Sequence, residues 1–204
     1  MLHQVNQFYI QKNEGSKYTG LHYSIVTNDT IIATIEDQKA HAQKGHNIFL
    51  KFFSQVFLAV PKRLIIESVI FEIKQLDGTI VGMIHKAAGM NKPLIVYDNS
   101  GHILCTIHSI VKMKAPTIKV QHREGHDLFI ATSSYGATNF SIKEQTANTH
   151  AASIQKKSLV YETVKEAFFN NDIYTVHNNK ADLTTNIICI AITIAIDLYF
   201  HAGE

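Results

Sequence analysis

Short runs of β-branched and aromatic residues, separated by turn residues, dominate the pattern of hydrophobic and polar positions along the chain. Such runs are typical of β-strands, because branched and aromatic side chains pack well on a pleated surface. The candidate strands are Phe8–Lys12, Lys17–Val26, Thr30–Glu36, Leu64–Gln75, Thr79–Ile84, Pro93–Tyr97, Ile103–Val111, Thr117–His122, Asp127–Thr132, Thr138–Lys143 and Ile173–Val176. Many short strands at this spacing favour an all-β sandwich or barrel over repeated βαβ units.

Turn residues between these runs indicate that neighbouring strands are joined by hairpins. Asparagine, aspartate and glycine tolerate the positive φ angles that tight hairpins need. The turn signals are Asn28-Asp29, Asp77-Gly78, Asn99-Ser100-Gly101, Glu124-Gly125 and Tyr135-Gly136. Phe71–Ile80 also shares its order of strand, turn and strand with Leu94–Ile103, and Tyr23–Ile31 is a looser copy. The hairpin is therefore the repeated unit, and its apolar face needs neighbours to cover it.

Two apolar segments fit more than one kind of element. Ile48–Val60 places its phenylalanine and valine side chains on one helical face, which indicates an amphipathic helix ended by Pro61, but two strands of a barrel fit as well. Ser158–Asn170 alternates poorly with a period of two, so a short helix is the alternative to a strand there.

The most informative stretch is the apolar segment Leu183–Phe200, which carries no charged side chain before Asp197. Three interpretations compete for it. A membrane-spanning helix of about 27 Å barely crosses a bilayer core of about 30 Å, and Asn186 and Asp197 are costly in that environment. A strand fits the alternation of isoleucine with small residues. A helix that is apolar on every side must be buried within protein, and Asp182 precedes it as a suitable N-cap.

Composition and charge bound the class of protein. The chain has 204 residues, of which 46% are hydrophobic and 18% charged, and no linker rich in proline or glycine divides it, so one globular domain is expected. A formal net charge of +2 provides no electrostatic footprint for nucleic acid. Cys105 and Cys189 lie in separate apolar runs, without the spacing of a disulfide framework, which favours buried thiols in a reducing cytoplasm.

Histidines provide the candidate metal ligands. The segment His122-Arg123-Glu124-Gly125-His126 lacks the HExxH spacing and has a glycine between strand-like flanks, so a solvated hairpin turn is favoured over a metal site. His41 and His46 have no cysteine or carboxylate beside them to complete a metal site, and a flexible polar loop is favoured there. Three further histidines near hairpins are expected at the surface or at strand edges: His85, His102 and His108.

Catalytic motifs do not emerge from the sequence. No GxSxG, GxGxxG or P-loop motif occurs, and Cys105 lies among apolar residues that disfavour a thiolate. Asp197 is the one charge within the final apolar segment, and we expect it to be capped or paired where the helix leaves the barrel, since buried acids are usually paired. The expectation is a protein that is not an enzyme and has no metal or cofactor.

The hairpin repeats and the apolar ending together form a pattern that extends over most of the chain. Its residues are Phe71-Glu72-Ile73…Asp77-Gly78…Ile84, Val96-Tyr97-Asp98…Gly101…Ile107 and Asp182-Leu183…Ala195-Ile196-Asp197-Leu198-Tyr199-Phe200. This pattern resembles the tubby C-terminal-like superfamily, in particular its branch of phospholipid-scramblase-like and LURP-one-related proteins. The resemblance implies one domain over residues 1–204, a closed twelve-stranded β-barrel wrapped around a buried hydrophobic C-terminal helix. It also favours a helix over a strand for Leu183–Phe200.

The resemblance implies a non-enzymatic module that binds membrane lipid or another anionic ligand, in the cytoplasm and at the periphery of a membrane. Tubby itself is similar in binding phosphoinositide head groups through basic residues, for which the candidates here are Lys39, Lys44, Lys62 and Arg63. The segment Asp172–Asp182 has too few acidic ligands for a calcium loop, so calcium dependence and scrambling are not expected. The alternative function is a soluble intracellular structural or protein-interaction domain with no role in lipid binding and an unknown protein partner.

Overall fold

The described part of the chain folds into antiparallel strands and a C-terminal helix. The computed structural model describes residues 2–13, 21–38, 68–89, 92–110, 115–133, 137–157 and 172–201. The strands in these ranges are β1 (Gln7–Asn13), β2 (His22–Thr27), β3 (Thr30–Asp37), β4 (Val69–Gln75), β5 (Ile80–Lys86), β6 (Leu94–Asp98), β7 (Ile103–Ile110), β8 (Thr117–Gln121), β9 (Asp127–Ser133), β10 (Asn139–Glu144), β11 (Thr149–Lys157) and β12 (Ile173–Asn178). The helix α1 (Leu183–Ile196) follows, with a 3₁₀ turn at Leu2–Gln4 and a π-helical turn at Asp197–His201.

The twelve described strands close into one barrel. Each strand pairs antiparallel with its neighbours in sequence, and β1 pairs with β12 to close the ring. At the closure Phe8 lies opposite Val176 and Ile10 opposite Tyr174, and all four side chains are buried. A closed barrel has no unpaired sheet edge, so every described strand has a partner on both sides. This architecture confirms the fold class predicted from the sequence.

The barrel interior is filled by alternate residues of each strand together with α1. On β1, Phe8 and Ile10 are buried while Tyr9 and Gln11 are partly exposed, which is the alternation that a pleated strand requires. On β5, Gly82 faces α1, and a Cβ atom placed there would lie 3.3 Å from two side-chain carbons of Ile187. The helix therefore packs directly on the barrel wall at this position.

Helix α1 runs through the barrel and is apolar on every side because the barrel surrounds it. Ile187–Leu198 is buried throughout, so the strand interpretation of the final segment is wrong and the helix is confirmed. Asp182 is the N-cap, and its carboxylate accepts from Thr185 N at 2.8 Å and from Thr185 Oγ1 at 2.6 Å. Isoleucine at every second position indicated a strand. The helical period was not visible in the sequence, because a helix buried on all sides lacks the polar stripe by which a helix is normally recognised.

The hairpin turns follow the predicted signals. Asn28 and Asp29 both have positive φ, at 47° and 58°, as a two-residue hairpin turn requires. Gly78, Gly101 and Gly125 have φ of 83°, 80° and 89°, and each closes a hairpin with the same pair of backbone hydrogen bonds. Strand β11 has no counterpart among the predicted strands, since its core Ala-Ala-Ser is poor in branched and aromatic residues.

Several sequence predictions fall in parts of the chain that the structure does not describe. The two ambiguous segments, Ile48–Val60 and Ser158–Asn170, lie outside the described residues, as does the turn signal Tyr135-Gly136. The predicted starts of β2 and β4, at Lys17 and Leu64, also lie outside them, and the strands as described begin at His22 and Val69.

The two ends of the barrel differ in the connections they carry. The upper rim is defined here as the end with the hairpin turns β2–β3, β4–β5, β6–β7, β8–β9 and β10–β11. The lower rim is the opposite end, where β1, β3, β5, β7, β9 and β11 finish. Since β12 runs toward the upper rim, α1 enters the barrel there and its C-terminal end lies at the lower rim.

Candidate ligand-binding site at the lower rim

Charged residues occupy the last inward-facing positions of several strands at the lower rim. On β1 the inward series Phe8 and Ile10 continues to Lys12, which is the same step of two residues. By the same alternation, the last inward-facing residue of three further strands is charged: Asp37 on β3, Lys86 on β5 and Lys156 on β11. These four residues, with Asp172 at the start of β12 and Asp197 after α1, are called the charged layer below.

Asp197 is the centre of this layer. Its side chain is 1% exposed, and its carboxylate accepts from Tyr23 Oη at 2.7 Å and from Tyr174 Oη at 2.8 Å. Lys12 Nζ lies 3.4 Å from Asp197 Oδ2. The expectation that Asp197 is paired where the helix leaves the barrel is confirmed. Two hydroxyl donors and one cation supply the hydrogen bonds and opposite charge that a buried carboxylate needs.

The tyrosine hydroxyls of this cluster act as hydrogen-bond donors. Burial raises the pKa of Tyr23 well above its usual value, and the neighbouring charge of Asp197 raises it further. The hydroxyl therefore stays protonated across the physiological range and keeps donating to the carboxylate. Deprotonation would also place two negative charges side by side in a buried site, which acts in the same direction as burial.

Lys86 and Lys156 bring two further ammonium groups to the same rim. Lys86 is 1% exposed, and its Nζ donates to the carbonyl oxygen of Gly89 at 2.9 Å. Burial lowers the pKa of Lys86. Lys156, whose side chain is 8% exposed, has its Nζ 3.2 Å from Asp172 Oδ1. Long charged side chains are rarely buried this deeply, so three of them at one end of a barrel mark that end as chemically distinct.

The last described residues of the chain contact two connections of the lower rim. Tyr199 Oη donates to the carbonyl oxygen of Lys92 at 2.6 Å, and burial raises the pKa of Tyr199. The His201 ring nitrogen Nε2 lies 2.9 Å from the carbonyl oxygen of Ala137. The π-helical turn is thereby fastened to connections on two sides of the rim, and it fixes Asp197 in place.

The basic residues predicted from the sequence cannot be placed within this geometry. Lys39, Lys44, Lys62 and Arg63 lie outside the described residues. They belong to the chain between β3 and β4, and the described ends of both strands, Asp37 and Val69, lie at the lower rim.

Sequence reasoning did not single out the lysines of the charged layer. The signal that could have found them is the step of two: Phe8, Ile10, Lys12 on β1 and Gly82, Ile84, Lys86 on β5. Each series is an inward-facing set whose last member is a lysine, which marks the end of the apolar interior. The pairing of Asp197 with Tyr23 has no such signal, because 174 positions separate the two residues.

The histidines and cysteines predicted from the sequence are placed as follows. His122–His126 forms the β8–β9 hairpin turn at the upper rim, as predicted. His102 is exposed in the β6–β7 turn, His85 and His108 are half-buried on strands, and His41 and His46 lie outside the described residues. Both cysteines are free and buried, and burial raises the pKa of each thiol to about 12. These thiols are inert packing groups, as expected.

The surroundings of the final segment favour a buried core helix over a membrane-spanning helix. In the described part of the chain, Leu183–His201 has the length and apolarity of a membrane-crossing helix, and 72% of an 18-residue stretch within it is buried inside the protein. Asn186, costly in lipid, is satisfied here: its Nδ2 donates to the carbonyl oxygens of Leu2 and Val5, and its Oδ1 accepts from Asn178. The segment is the core helix of the barrel.

Comparisons with known proteins add little to this picture. No family model matches the chain, and no curated protein matches it. Among solved structures, the X-ray structure of a protein from Arabidopsis thaliana is similar, with a TM-score of 0.49 and 9% sequence identity over 93% of this chain and 91% of that chain. The assignment of a closed barrel around a helix rests on the strand order and register described above.

Proposed function

We propose that the protein is a non-enzymatic, tubby-like binding module that recognises the headgroup of an anionic membrane lipid at its lower rim. The observation that carries this proposal is the position of the connection between β3 and β4, which contains the predicted basic residues and whose described flanks, Asp37 and Val69, lie at the lower rim. The three lysines and three aspartates of the charged layer balance one another in charge, and Lys12 and Lys156 are held by Asp197 and Asp172, so the binding charges in this proposal come from the connection. In this proposal the protein is cytoplasmic and associates peripherally with a membrane.

Two further features support this location for the ligand. The predicted basic residues Lys39, Lys44, Lys62 and Arg63 give that connection ammonium and guanidinium groups, which are suited to phosphate. The resemblance to the tubby C-terminal-like superfamily, drawn from the sequence, implies an anionic ligand bound by basic side chains. Each lysine or arginine of a basic cluster near a membrane surface contributes about 1 kcal/mol toward binding anionic lipid.

The test is co-sedimentation of the full-length protein with lipid vesicles. We expect binding to vesicles of phosphatidylcholine that contain phosphatidylserine or a phosphoinositide, and none to phosphatidylcholine alone. The double variant Lys62→Glu/Arg63→Glu should lose binding. Arg123→Glu/Lys143→Glu, which makes the same change of net charge with exposed residues toward the upper rim, is the matched control and should retain it.

Three outcomes would remove this proposal. The first is no binding by the unmodified protein to any anionic vesicle. The second is equal loss in the control variant, which would indicate non-specific attraction by net charge. The third is an unmodified protein that binds soluble inositol phosphate or inorganic phosphate but not the vesicles, since that result assigns the same rim to a free anion.

A protein-interaction role is the second candidate, because exposed apolar side chains gather at the upper rim. Four large residues lie on the neighbouring hairpins β2–β3, β4–β5 and β6–β7, with exposures of 37% to 62%: Ile31, Leu76, Ile80 and Ile103. Apolar groups in such a position are suited to contact with another protein. Capture of one stoichiometric protein partner that is lost in Leu76→Asp and kept in Lys62→Glu/Arg63→Glu would favour this role over lipid binding.

A further inference from the structure

A cluster of two histidines and one glutamate lies at the tip of the β8–β9 hairpin, on the rim opposite the charged layer. The backbone N–H of His122 donates to the carbonyl oxygen of His126 at 2.8 Å, and that of Gly125 donates to the carbonyl oxygen of His122 at 2.8 Å. Gly125 has a φ of 89°, which a side chain would strain. This tight turn holds the two imidazoles together, with their ring centroids 4.6 Å apart and their planes 25° from parallel.

The three side chains bring their donor atoms to one point. One ligand atom from each of His122, Glu124 and His126 lies within 4.8 Å of the other two. The Glu124 Oε2 atom is 3.8 Å from His122 Nδ1, which also accepts a hydrogen bond from the backbone N–H of Glu124 at 3.3 Å and would exchange it for a metal bound at that nitrogen. Zinc bonds to nitrogen and oxygen of about 2.0–2.2 Å place tetrahedral ligands roughly 3.4 Å apart. Because Glu124 and His126 are exposed, side-chain rotation alone can close the remaining distance.

Hydrogen bonds outside the cluster fix the turn that carries it. The Gln121 Nε2 amide donates to the carbonyl oxygen of Gly125 at 3.1 Å and to Asp127 Oδ1 at 3.0 Å. Lys119 Nζ lies 3.0 Å from Asp127 Oδ1, so that carboxylate already has its partners. A metal ion at the tip would therefore meet a turn that is ordered in advance, and binding would not have to supply the entropy of ordering it.

The β6–β7 hairpin provides an internal comparison. It has the same turn, in which the backbone N–H of Asp98 donates to the carbonyl oxygen of His102 at 2.9 Å and Gly101 has a φ of 80°. Here the flanking pair is one carboxylate and one histidine, and Asp98 Oδ1 accepts from the backbone N–H groups of Ser100 and His102, both at 2.8 Å. Turn geometry alone therefore does not assemble three ligands; the side chains of the β8–β9 turn do.

We propose that His122, Glu124 and His126 bind a divalent transition-metal ion, with Zn²⁺ as the best match to two imidazoles and one carboxylate. Neutral imidazole and carboxylate are ligands that zinc prefers, and three protein ligands leave a fourth position open to water. The sequence favoured a solvated turn at this place, since the spacing matches no common metal motif. The site is separate from the proposed lipid-binding rim, so the two proposals stand or fall independently.

The test is titration of the purified full-length protein with ZnCl₂ against a chromophoric chelator. We expect one Zn²⁺ per chain, and a dissociation constant raised at least about tenfold in His122→Ala and in His126→Ala. Glu124→Gln should weaken binding by a smaller factor, because it keeps a neutral oxygen donor. His102→Ala, in the comparison hairpin, is the matched control and should leave the affinity unchanged.

The chain has twelve histidines, so the assignment must exclude the others. One-to-one binding that survives in His122→Ala/His126→Ala would overturn the proposal, as would the absence of stoichiometric binding in the unmodified protein. Loss of binding in His41→Ala/His46→Ala with an intact hairpin would move the site elsewhere and overturn it equally. Circular dichroism of each variant checks that the barrel is folded, which we expect because the substituted side chains lie at an outer turn.

Discussion

Asp197 illustrates how one acidic residue can be kept at the end of an apolar core. The cost of burying its carboxylate is offset by hydrogen bonds from Tyr23 and Tyr174 and by the nearby charge of Lys12. From the sequence it was predictable that Asp197 would be paired, because an unpaired buried acid is too costly. Its partners were not predictable, because they come from three strands that meet only when the barrel closes.

Removal of one hydroxyl tests this cluster. Tyr23→Phe leaves the buried carboxylate with one donor fewer, and we expect a loss of about 2 kcal/mol in the free energy of unfolding. Tyr9→Phe is the control, since the Tyr9 hydroxyl takes only a long, exposed hydrogen bond from Gln7 at 3.4 Å, and its effect should stay within about 0.5 kcal/mol. Urea unfolding measures both, and equal effects would contradict the role of Tyr23.

Glu36 on the outer face of β3 links stability to pH. A hydrogen bond from Lys74 Nζ at 2.9 Å lowers the pKa of Glu36 below its usual value of 4.5. The unfolded chain therefore binds a proton at a higher pH than the folded chain does, and stability falls as the pH drops from 4.5 through the folded pKa.

We expect Glu36→Gln to flatten this part of the pH profile. The glutamine variant has no carboxylate to protonate at this position. Its free energy of unfolding should therefore fall less between pH 5 and pH 3 than that of the unmodified protein, and the difference is the contribution of the Glu36 carboxylate. Lys74→Met should flatten the profile in the same direction, because it removes the donor that lowers the pKa. Parallel profiles for all three proteins would show that this pair does not contribute.

At the scale of the element, the sequence pattern predicted strands well and failed where packing overrides local preference. Strands such as β3 and β7 are rich in isoleucine, and their predicted bounds agree within a residue. Strand β11 was missed because two of its buried positions are alanines, which have a low strand propensity. Their small side chains leave room for α1. The helix was ambiguous because an environment that is apolar on all sides erases the 3.6-residue period.

The contact between β5 and α1 leaves no room for a Cβ atom at Gly82. A Cβ atom at Gly82 would lie 3.1 Å from the backbone oxygen of Tyr97 and 3.3 Å from Ile187, so neither side can move away freely. Gly82→Val should destabilise the protein by about 3 kcal/mol, while Met83→Val, on the outward face of the same strand, should cost less than about 1 kcal/mol. Thermal unfolding of both variants checks the difference.

A charge placed on α1 tests whether the helix is internal. Ile192 is fully buried, and Ile192→Asp would place an unpaired carboxylate inside the barrel at a cost of about 5 kcal/mol or more, comparable to the total stability of a domain. We expect this variant to be unfolded, whereas Ile192→Val should lose only about 1 kcal/mol. A folded, monomeric Ile192→Asp protein would show that this face of α1 is not enclosed.

At the scale of the whole molecule, the two rims divide the chemistry. The upper rim carries tight turns, exposed apolar side chains and the histidine cluster, while the lower rim carries the charged layer and the end of α1. Closure itself was anticipated through the family resemblance and not through local pattern, because pairing of β1 with β12 joins residues about as far apart in the chain as the fold allows. Such a long-range pairing leaves no trace in the spacing of residues along the sequence.

Hydrogen–deuterium exchange of the full-length protein in detergent-free buffer tests whether α1 is enclosed by its own barrel. We expect the amides of residues 187–196 to be among the slowest to exchange, at the rate of global unfolding and together with the central residues of β1 and β12. Rapid exchange in α1 while the strands stay protected, or a protein that remains in solution only with detergent, would contradict it.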